Sequence, residues 1–214
     1  MSYRDSVRKA ITTISTAAAQ AQAKIDEARR FKEGNRQNLR DRIVGTEGYK
    51  QNNAAYDKRI EDARAEFATT AQKAMDEYAK QRSASFVPRP RDVSPETMQF
   101  LSLIDLTQPE AAQLVREAKQ KDGNYTLARM IYANVNRQGI DMHDDAASYI
   151  GRCEDALSTI AETCSSMLDD ESGAYAKAFG QVVASAAQDV SEASDAYMGS
   201  AGVTSEGLPL RGCL

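Results

Sequence analysis

The sequence has a single histidine, His143, among 214 residues, and it has no tryptophan. A di-metal helical bundle uses paired Glu-x-x-His motifs, which one histidine cannot supply. A cysteine–histidine nucleophile would have to be assembled by the fold, because no cysteine is adjacent to His143. We therefore expect a protein that is not an enzyme and that holds no cofactor and no metal ion.

Cysteines are also few: Cys153, Cys164 and Cys213. On one helix the first two would lie roughly 16 Å apart along the axis, too far for a disulfide. The odd number, the charged amino-terminal stretch without an apolar export segment and the lack of a membrane-spanning run favour reduced thiols in a cytoplasm. We expect a cytoplasmic protein without membrane contact.

Glycine and proline are scarce, at 12 and 5 residues, and clusters of β-branched residues are few. Because these residues end helices or favour strands, their scarcity indicates an all-α fold. Much of the 42% hydrophobic content is alanine, which buries little surface. A core built from alanine requires helices that approach closely.

An apolar seam, with side chains spaced alternately three and four residues apart, runs from Tyr3 to Arg82. This spacing places the side chains on one narrow stripe of a helix, which is typical of a coiled coil. The seam is predicted to pack on other helices, from the same chain or from further copies. Its main members are Val7, Ile11, Ile14, Ile25, Ile60, Phe67 and Tyr78.

A break at Gly45–Gly48 separates two long helical patterns. Glycine favours the left-handed conformation that ends a helix, and Thr46 can begin the next one. Two helices joined by so short a turn usually fold back antiparallel. Residues 1–82 are therefore predicted to form a long antiparallel coiled-coil hairpin arm.

The remainder of the chain is predicted to form a helical-bundle body. Pro88 and Pro90 indicate a linker over residues 83–94. Residues 95–140 contain the densest cluster of large apolar side chains and predict a compact three-helix segment, with Ser94 and Thr107 as caps of its first two helices. Residues 141–198 repeat the seam spacing and predict a second long helical hairpin. Residues 199–214 are predicted to be a flexible tail.

Charge is distributed unevenly along the chain. Residues 1–91 contain 19 Lys and Arg against 12 Asp and Glu, a net charge of +7, whereas residues 92–214 contain 8 against 19, a net charge of −11. A basic arm joined to an acidic body favours contact with an acidic partner, or contact between neighbouring copies of the chain.

A basic stripe is the strongest polar feature of the arm, and it consists of Arg29, Arg30, Arg36, Arg40 and Arg42. Acidic residues lie between its members, so a solvated face of a coiled coil is the simplest interpretation. The functional interpretation is a surface that binds an acidic partner. Nucleic acid is one such partner, because arginine neutralises its phosphates.

Two further patterns have both a functional and a structural interpretation. Asp141, His143, Asp144 and Asp145 carry groups that ligate metals, but carboxylates at the start of a helix also stabilise it electrostatically, which we favour. Residues 108–138 fit a helix-turn-helix, with Asn134 and Asn136 among the residues that would read base edges. The strongly acidic half of the chain around them disfavours DNA binding.

In its layout, the chain resembles the small helical accessory proteins encoded beside the head and tail genes of tailed bacteriophages. The shared features are a long helical arm, a proline-containing linker and a compact helical portion, and they extend over most of the chain. The resemblance implies a scaffold-like or minor structural protein that acts in many copies and is associated with the virion.

The leading hypothesis is a non-enzymatic structural or assembly protein, for instance a phage virion or head-assembly component. It would act by helix–helix self-association and partner docking, as a homo-oligomer or as part of a multi-protein assembly. A nucleic-acid-associated adaptor that uses the basic arm is the alternative. A metal-dependent helical-bundle enzyme is the third hypothesis.

Overall fold

The computed structural model describes residues 2–170 and 174–201, apart from the side chains at positions 121, 122 and 174. Over this part of the chain the regular structure is entirely helical, which confirms the predicted all-α fold. None of the described helices is both long enough and apolar enough to cross a membrane. The elements are α1 (Tyr3–Arg40), α2 (Thr46–Phe86), a 3₁₀ turn (Pro90–Asp92), α3 (Pro95–Leu103), α4 (Gln108–Glu117), a π-helical turn (Ala118–Asp122), α5 (Tyr125–Arg137), α6 (Ala146–Asp169) and α7 (Ala174–Gly199).

The chain divides into two compact units, each assembled from segments that are far apart in the sequence. Unit 1 comprises Met1–Ser6, Ala79–Glu154 and Asp189–Leu214. Unit 2 comprises Val7–Tyr78 and Asp155–Gln188. The four long helices α1, α2, α6 and α7 therefore contribute residues to both units.

In unit 2, α1 and α2 run antiparallel within one chain. Ion pairs join Lys9 to Glu77 at 3.1 Å and Lys32 to Asp57 at 2.6 Å, and a third joins Lys24 to Glu66. As residue numbers rise along α1, those of the partners on α2 fall, which defines the antiparallel direction. This packing fits the predicted coiled-coil hairpin.

The α1 half of the apolar seam is buried over its whole length in unit 2. Val7, Ile14 and Ile25 are fully covered, and the seam alanines between them, Ala18 and Ala21, are also buried. The α2 half is more open, since Phe67 and Tyr78 are buried but Ile60 is only half-buried. Small side chains let the two helices approach closely, and the alanine-rich seam is packed by this close approach.

A buried asparagine interrupts the apolar packing of the hairpin. The Asn35 side chain is almost completely buried, and its amide nitrogen donates to the Tyr49 carbonyl at 3.1 Å and to Asn53 Oδ1 at 2.9 Å. Asn52 in turn donates to Asn35 Oδ1 at 3.2 Å. A polar residue with these partners favours a single register of the two helices, because any shift leaves it unpaired.

The turn of the hairpin differs from the prediction, because an arginine occupies the position expected for glycine. Arg42 has a φ of 57°, in the left-handed region. Its amide donates to the Leu39 carbonyl at 3.2 Å, and the Ile43 amide donates to the Asn38 carbonyl at 2.8 Å. This is the Schellman pattern that ends a helix. Gly45 instead accepts from the Tyr49 amide at the start of α2.

The predicted linker and tail also contain ordered elements. Helix α2 continues to Phe86, past the predicted end at Arg82, and the 3₁₀ turn Pro90–Asp92 follows it. Gly199 is the last residue of α7, and Ala201 packs against the core of unit 1. The rest of the predicted flexible tail, residues 202–214, lies outside the described residues.

Unit 1 contains the predicted three-helix core of α3, α4 and α5. The predicted caps are confirmed: Ser94 Oγ accepts from the Thr97 amide at 3.1 Å, and Glu110 accepts from both the amide and the hydroxyl of Thr107. These caps satisfy amides that the first helical turn leaves unpaired. The buried core residues are Leu101, Leu106, Ala111, Ala112, Val115, Ala118, Ala128, Ile131, Tyr132, Val135 and Met142.

Replacement of Arg42 by glycine should raise the free energy of unfolding by about 1 kcal/mol, because a left-handed residue with a Cβ costs about that much. Urea denaturation measures the change. Arg40→Gly is the matched control: Arg40 is the last residue of α1, and glycine inside a helix destabilises it. Equal effects of the two substitutions would contradict the assignment of the left-handed position.

Candidate functional site

A buried lysine is the most unusual polar group in unit 1. The Lys119 side chain lies on the π-helical turn after α4 and is 1% exposed. Its Nζ donates to Asp145 Oδ1 at 2.7 Å and to the Tyr197 and Ser200 carbonyls at 3.2 Å each. Three acceptors match the three donors of an ammonium group, so this charge is fully paired.

The position of Lys119 follows from the end of α7. A helix leaves its last carbonyls without amide partners and carries a partial negative charge there. Lys119 supplies donors and a positive charge to these carbonyls, and Gln120 Nε2 donates to the Met198 carbonyl at 3.3 Å. The π-helical turn therefore caps the end of a helix that lies about eighty residues further along the chain.

Five aromatic rings surround this region, one from each of α1, α2, α5, α6 and α7. Phe86 packs edge-on against Tyr3 and Tyr125, with ring centroids 4.8 and 5.2 Å apart, and Tyr149 stacks on Tyr197 at 4.8 Å. These are the edge-to-face and stacked geometries that aromatic pairs prefer. Lys119 Nζ lies 4.1 Å from the Tyr197 ring centroid, so the cation also interacts with the ring.

A cavity of about 420 Å³ lies among these rings. This volume is within the range of small-molecule sites. Its walls include all five aromatic residues, together with Arg4, Lys119 and polar side chains, and no carboxylate lines it among the described residues. The cavity is therefore an aromatic space with cationic groups in its wall.

Burial keeps the tyrosines of this region neutral. It raises the pKa of Tyr149 to about 12. Burial, followed by the nearby carboxylates Asp144 and Asp145, also raises the pKa of Tyr132 and Tyr197 well above the usual value. At physiological pH these residues offer apolar ring surface and not phenolate bases.

The predicted seam residues are buried within the chain itself. Six of the seven, among them Val7, Phe67 and Tyr78, are at most 7% exposed, and Ile60 is half-buried. Their large apolar surface is therefore used by packing inside one chain.

Members of the basic stripe have different environments. Arg29 lies 3.8 Å from Asp26 and donates to the Asp170 carbonyl, whereas Arg30 donates to the Asp26 carbonyl. Arg36 lies 3.7 Å from Glu33. Within the described residues, Arg40 and Arg42 are exposed at the tip of the hairpin and have no ion pair.

The acidic cluster before α6 does not converge on one point. Asp145 pairs with Lys119, and Asp144 accepts from the Tyr125 hydroxyl at 2.9 Å and from the Ala146 amide at 3.1 Å. His143 is exposed and lies 3.6 Å from Asp141. In the described part of the chain no group of three or more metal-ligating side chains is present. Asp144 thus satisfies an amide at the start of α6, in line with the electrostatic interpretation of this cluster.

Two base-reading candidates of the helix-turn-helix pattern, Asn134 and Asn136, make hydrogen bonds within unit 1. Asn134 is buried and donates to the Leu101 carbonyl, which ties α5 to α3. Asn136 donates to the Met142 carbonyl at 3.2 Å and accepts from the Met142 amide at 3.1 Å. These side chains have structural partners that a base edge would have to displace.

The two described cysteines are buried free thiols. Burial raises the pKa of Cys153 and of Cys164 to about 11, which suppresses the reactive thiolate. Cys213 lies outside the described residues.

The sequence interpretation missed Lys119 and the aromatic cluster. Phe86 offered the one available signal, because a large aromatic residue two positions before Pro88 is more than a linker requires. Comparisons of the chain with protein-family models, with curated proteins and with solved structures gave no match.

Replacement of Asp145 by asparagine should lower the free energy of unfolding by about 3 kcal/mol, because it leaves the buried Lys119 ammonium without its carboxylate. A Lys119→Met/Asp145→Asn double variant should recover most of this loss. Urea denaturation of the single and double variants measures the coupling.

Glu77→Gln is the control for this pair, since the Lys9–Glu77 pair is more than half exposed on both sides. It should change the free energy of unfolding by less than about 1 kcal/mol. A similar small effect of Asp145→Asn would show that the buried pair contributes nothing beyond a surface pair.

Stability should fall between about pH 10 and 12. Tyrosines of the unfolded chain lose their protons near pH 10, whereas Tyr149 keeps its proton up to about pH 12. The folded state then binds more protons, so the free energy of unfolding falls as the pH rises. Urea midpoints measured across this range should fall less steeply in Tyr149→Phe than in the wild type. Equal slopes in Tyr149→Phe and in the wild type would contradict this prediction.

Proposed function

We propose that the protein is a non-enzymatic structural or assembly component that associates with further copies of itself through exposed helical surface. The observation that carries this proposal is the outer face of α3. Phe100 is 56% exposed and Leu103 is 76% exposed. Residues three apart lie side by side on a helix, so the two side chains form one apolar patch.

Exposure of this patch is costly in water. Full burial of a leucine or phenylalanine side chain contributes about 1.5–3 kcal/mol, and neighbouring exposed apolar residues often belong to an interaction surface. Leu101, between them, is buried in the core of unit 1. A folded core therefore holds α3 in place while Phe100 and Leu103 remain available to a neighbour.

We propose different roles for the apolar residues of the seam and for those of α3. Seam residues such as Val7 and Ile14 are covered by the chain itself. This burial supports α3, and not the seam, as the proposed association surface. The opposite net charges of residues 1–91 and 92–214 favour contact between copies in which unlike halves face each other.

The layout resemblance to accessory proteins of tailed bacteriophages supports the same proposal. A minor structural protein of a phage head or tail acts in many copies, and helix-mediated self-association is the interaction such a role requires. We propose this setting as the biological context of the chain.

A nucleic-acid-associated adaptor is the second candidate. It would use Arg40 and Arg42, which extend from the hairpin tip without an ion pair in the described part of the chain. The other three arginines of the basic stripe already interact with carboxylates or carbonyls. Binding of the full chain to DNA that weakens steeply with added salt would favour this candidate.

The Phe100→Ser/Leu103→Ser double variant should weaken self-association about a hundredfold, the ratio expected when two apolar contacts are lost. Sedimentation velocity over a series of concentrations measures the change. Val87→Ser is the matched control, because Val87 is a similarly exposed apolar residue outside α3. It should associate like the wild type.

Two results would contradict the proposal. The first is a wild-type chain that stays monomeric throughout the concentration series. The second is an equal loss of association in the double variant and in Val87→Ser, which would remove any special role of α3.

A further inference from the structure

The cavity of unit 1 is apolar on most of its wall and has a defined set of polar groups. Rings of Phe86, Tyr125 and Tyr197 line it, and Met198 adds a flexible apolar side chain. Phe86 and Tyr125 are only half-buried, so part of their ring surface is open to a ligand. Flat ring surfaces at edge and face orientations suit a planar aromatic molecule.

The cationic groups of the wall differ in how well they are paired. All three donors of Lys119 have acceptors, as described above. Arg4 Nη1 donates to Asp195 at 3.1 Å, and Nη2 donates to Ser191 Oγ at 3.1 Å. Arg4 Nε is buried and has no acceptor among the residues that the structure describes. Buried donors without partners are rare and destabilising, so this one indicates a missing acceptor.

We propose that this cavity binds a small planar aromatic molecule that carries a carboxylate. The ring would lie against Phe86 and Tyr125, and the carboxylate would accept from the Arg4 guanidinium. Arginine–carboxylate hydrogen bonds are among the stronger ones in proteins. The described lining contains two cationic residues and no carboxylate, which favours an anionic ligand over a cationic one.

The same rings do not favour a cationic ligand. Aromatic cages bind ammonium groups through the faces of their rings. Here the Lys119 ammonium already lies 4.1 Å from the Tyr197 centroid and 5.8 Å from the Tyr132 centroid. The ring face that a second cation would use is therefore already occupied by an ammonium group. The proposal is independent of self-association, because Phe100 and Leu103 do not line the cavity.

Three probes that share an indole ring and differ in charge test the proposal. They are indole-3-acetate, 3-methylindole and tryptamine, which are anionic, neutral and cationic at neutral pH. Isothermal titration of the full chain should give the tightest binding for indole-3-acetate, about tenfold tighter than for 3-methylindole, as expected for one charge-assisted hydrogen bond. Tryptamine should bind most weakly.

Two variants connect binding to the cavity. Arg4→Met should reduce the affinity for indole-3-acetate about tenfold and leave that for 3-methylindole unchanged. Ser85→Phe places a ring in the cavity, since Ser85 lines it, and should abolish binding of both probes. Arg91→Met replaces an exposed arginine of the same unit outside the cavity and should change neither affinity.

The different effects of Arg4→Met on the two affinities distinguish the loss of one contact from the loss of the fold. An Arg4→Met variant that merely unfolds would lose both probes, and Ser85→Phe then decides the question alone. Equal affinity for all three probes, no binding of any of them, or undiminished binding to Ser85→Phe would overturn the proposal.

Discussion

A single buried charge pair links three distant segments of unit 1. An ammonium group inside a protein is stable only beside an opposite charge and with its hydrogen bonds satisfied, and Lys119 meets both conditions through Asp145 and two carbonyls at the end of α7. These contacts join the turn after α4, the segment before α6 and the end of α7. The aromatic cluster lies beside them and adds contacts from α1 and α2. Helices that enter the unit from distant parts of the chain are thus held around one polar centre.

Unit 2 is stabilised in a different way. Much of its buried seam is alanine, which gains little from each residue, so the packing depends on the length of contact between helices. Its cross-helix ion pairs are exposed and contribute little. The buried Asn35 contributes to the specificity of helix pairing more than to its stability, because Asn35 meets its partners on α2 in one register only.

The features that sequence analysis predicted are those that depend on local periodicity. The all-α fold, the antiparallel direction of α1 and α2 and the caps Ser94 and Thr107 follow from spacing and from turn residues within short stretches. The turn itself was less predictable, because Arg42 adopts a conformation that glycine prefers. The cavity was not predictable, since Lys119 meets acceptors 26 to 81 residues away. No local pattern encodes contacts at such separations.

The interleaving of the two units has a consequence for synthesis of the chain. Val7–Tyr78 leaves the ribosome well before Asp155–Gln188, the segment that completes unit 2. Until then the nascent hairpin lacks part of its cover, and its apolar stripe is open to other nascent chains or to chaperones. Completion of either unit therefore requires the carboxy-terminal half of the polypeptide, so folding of both is coupled to late translation. A chain that ended near position 150 would contain two unfinished cores at once.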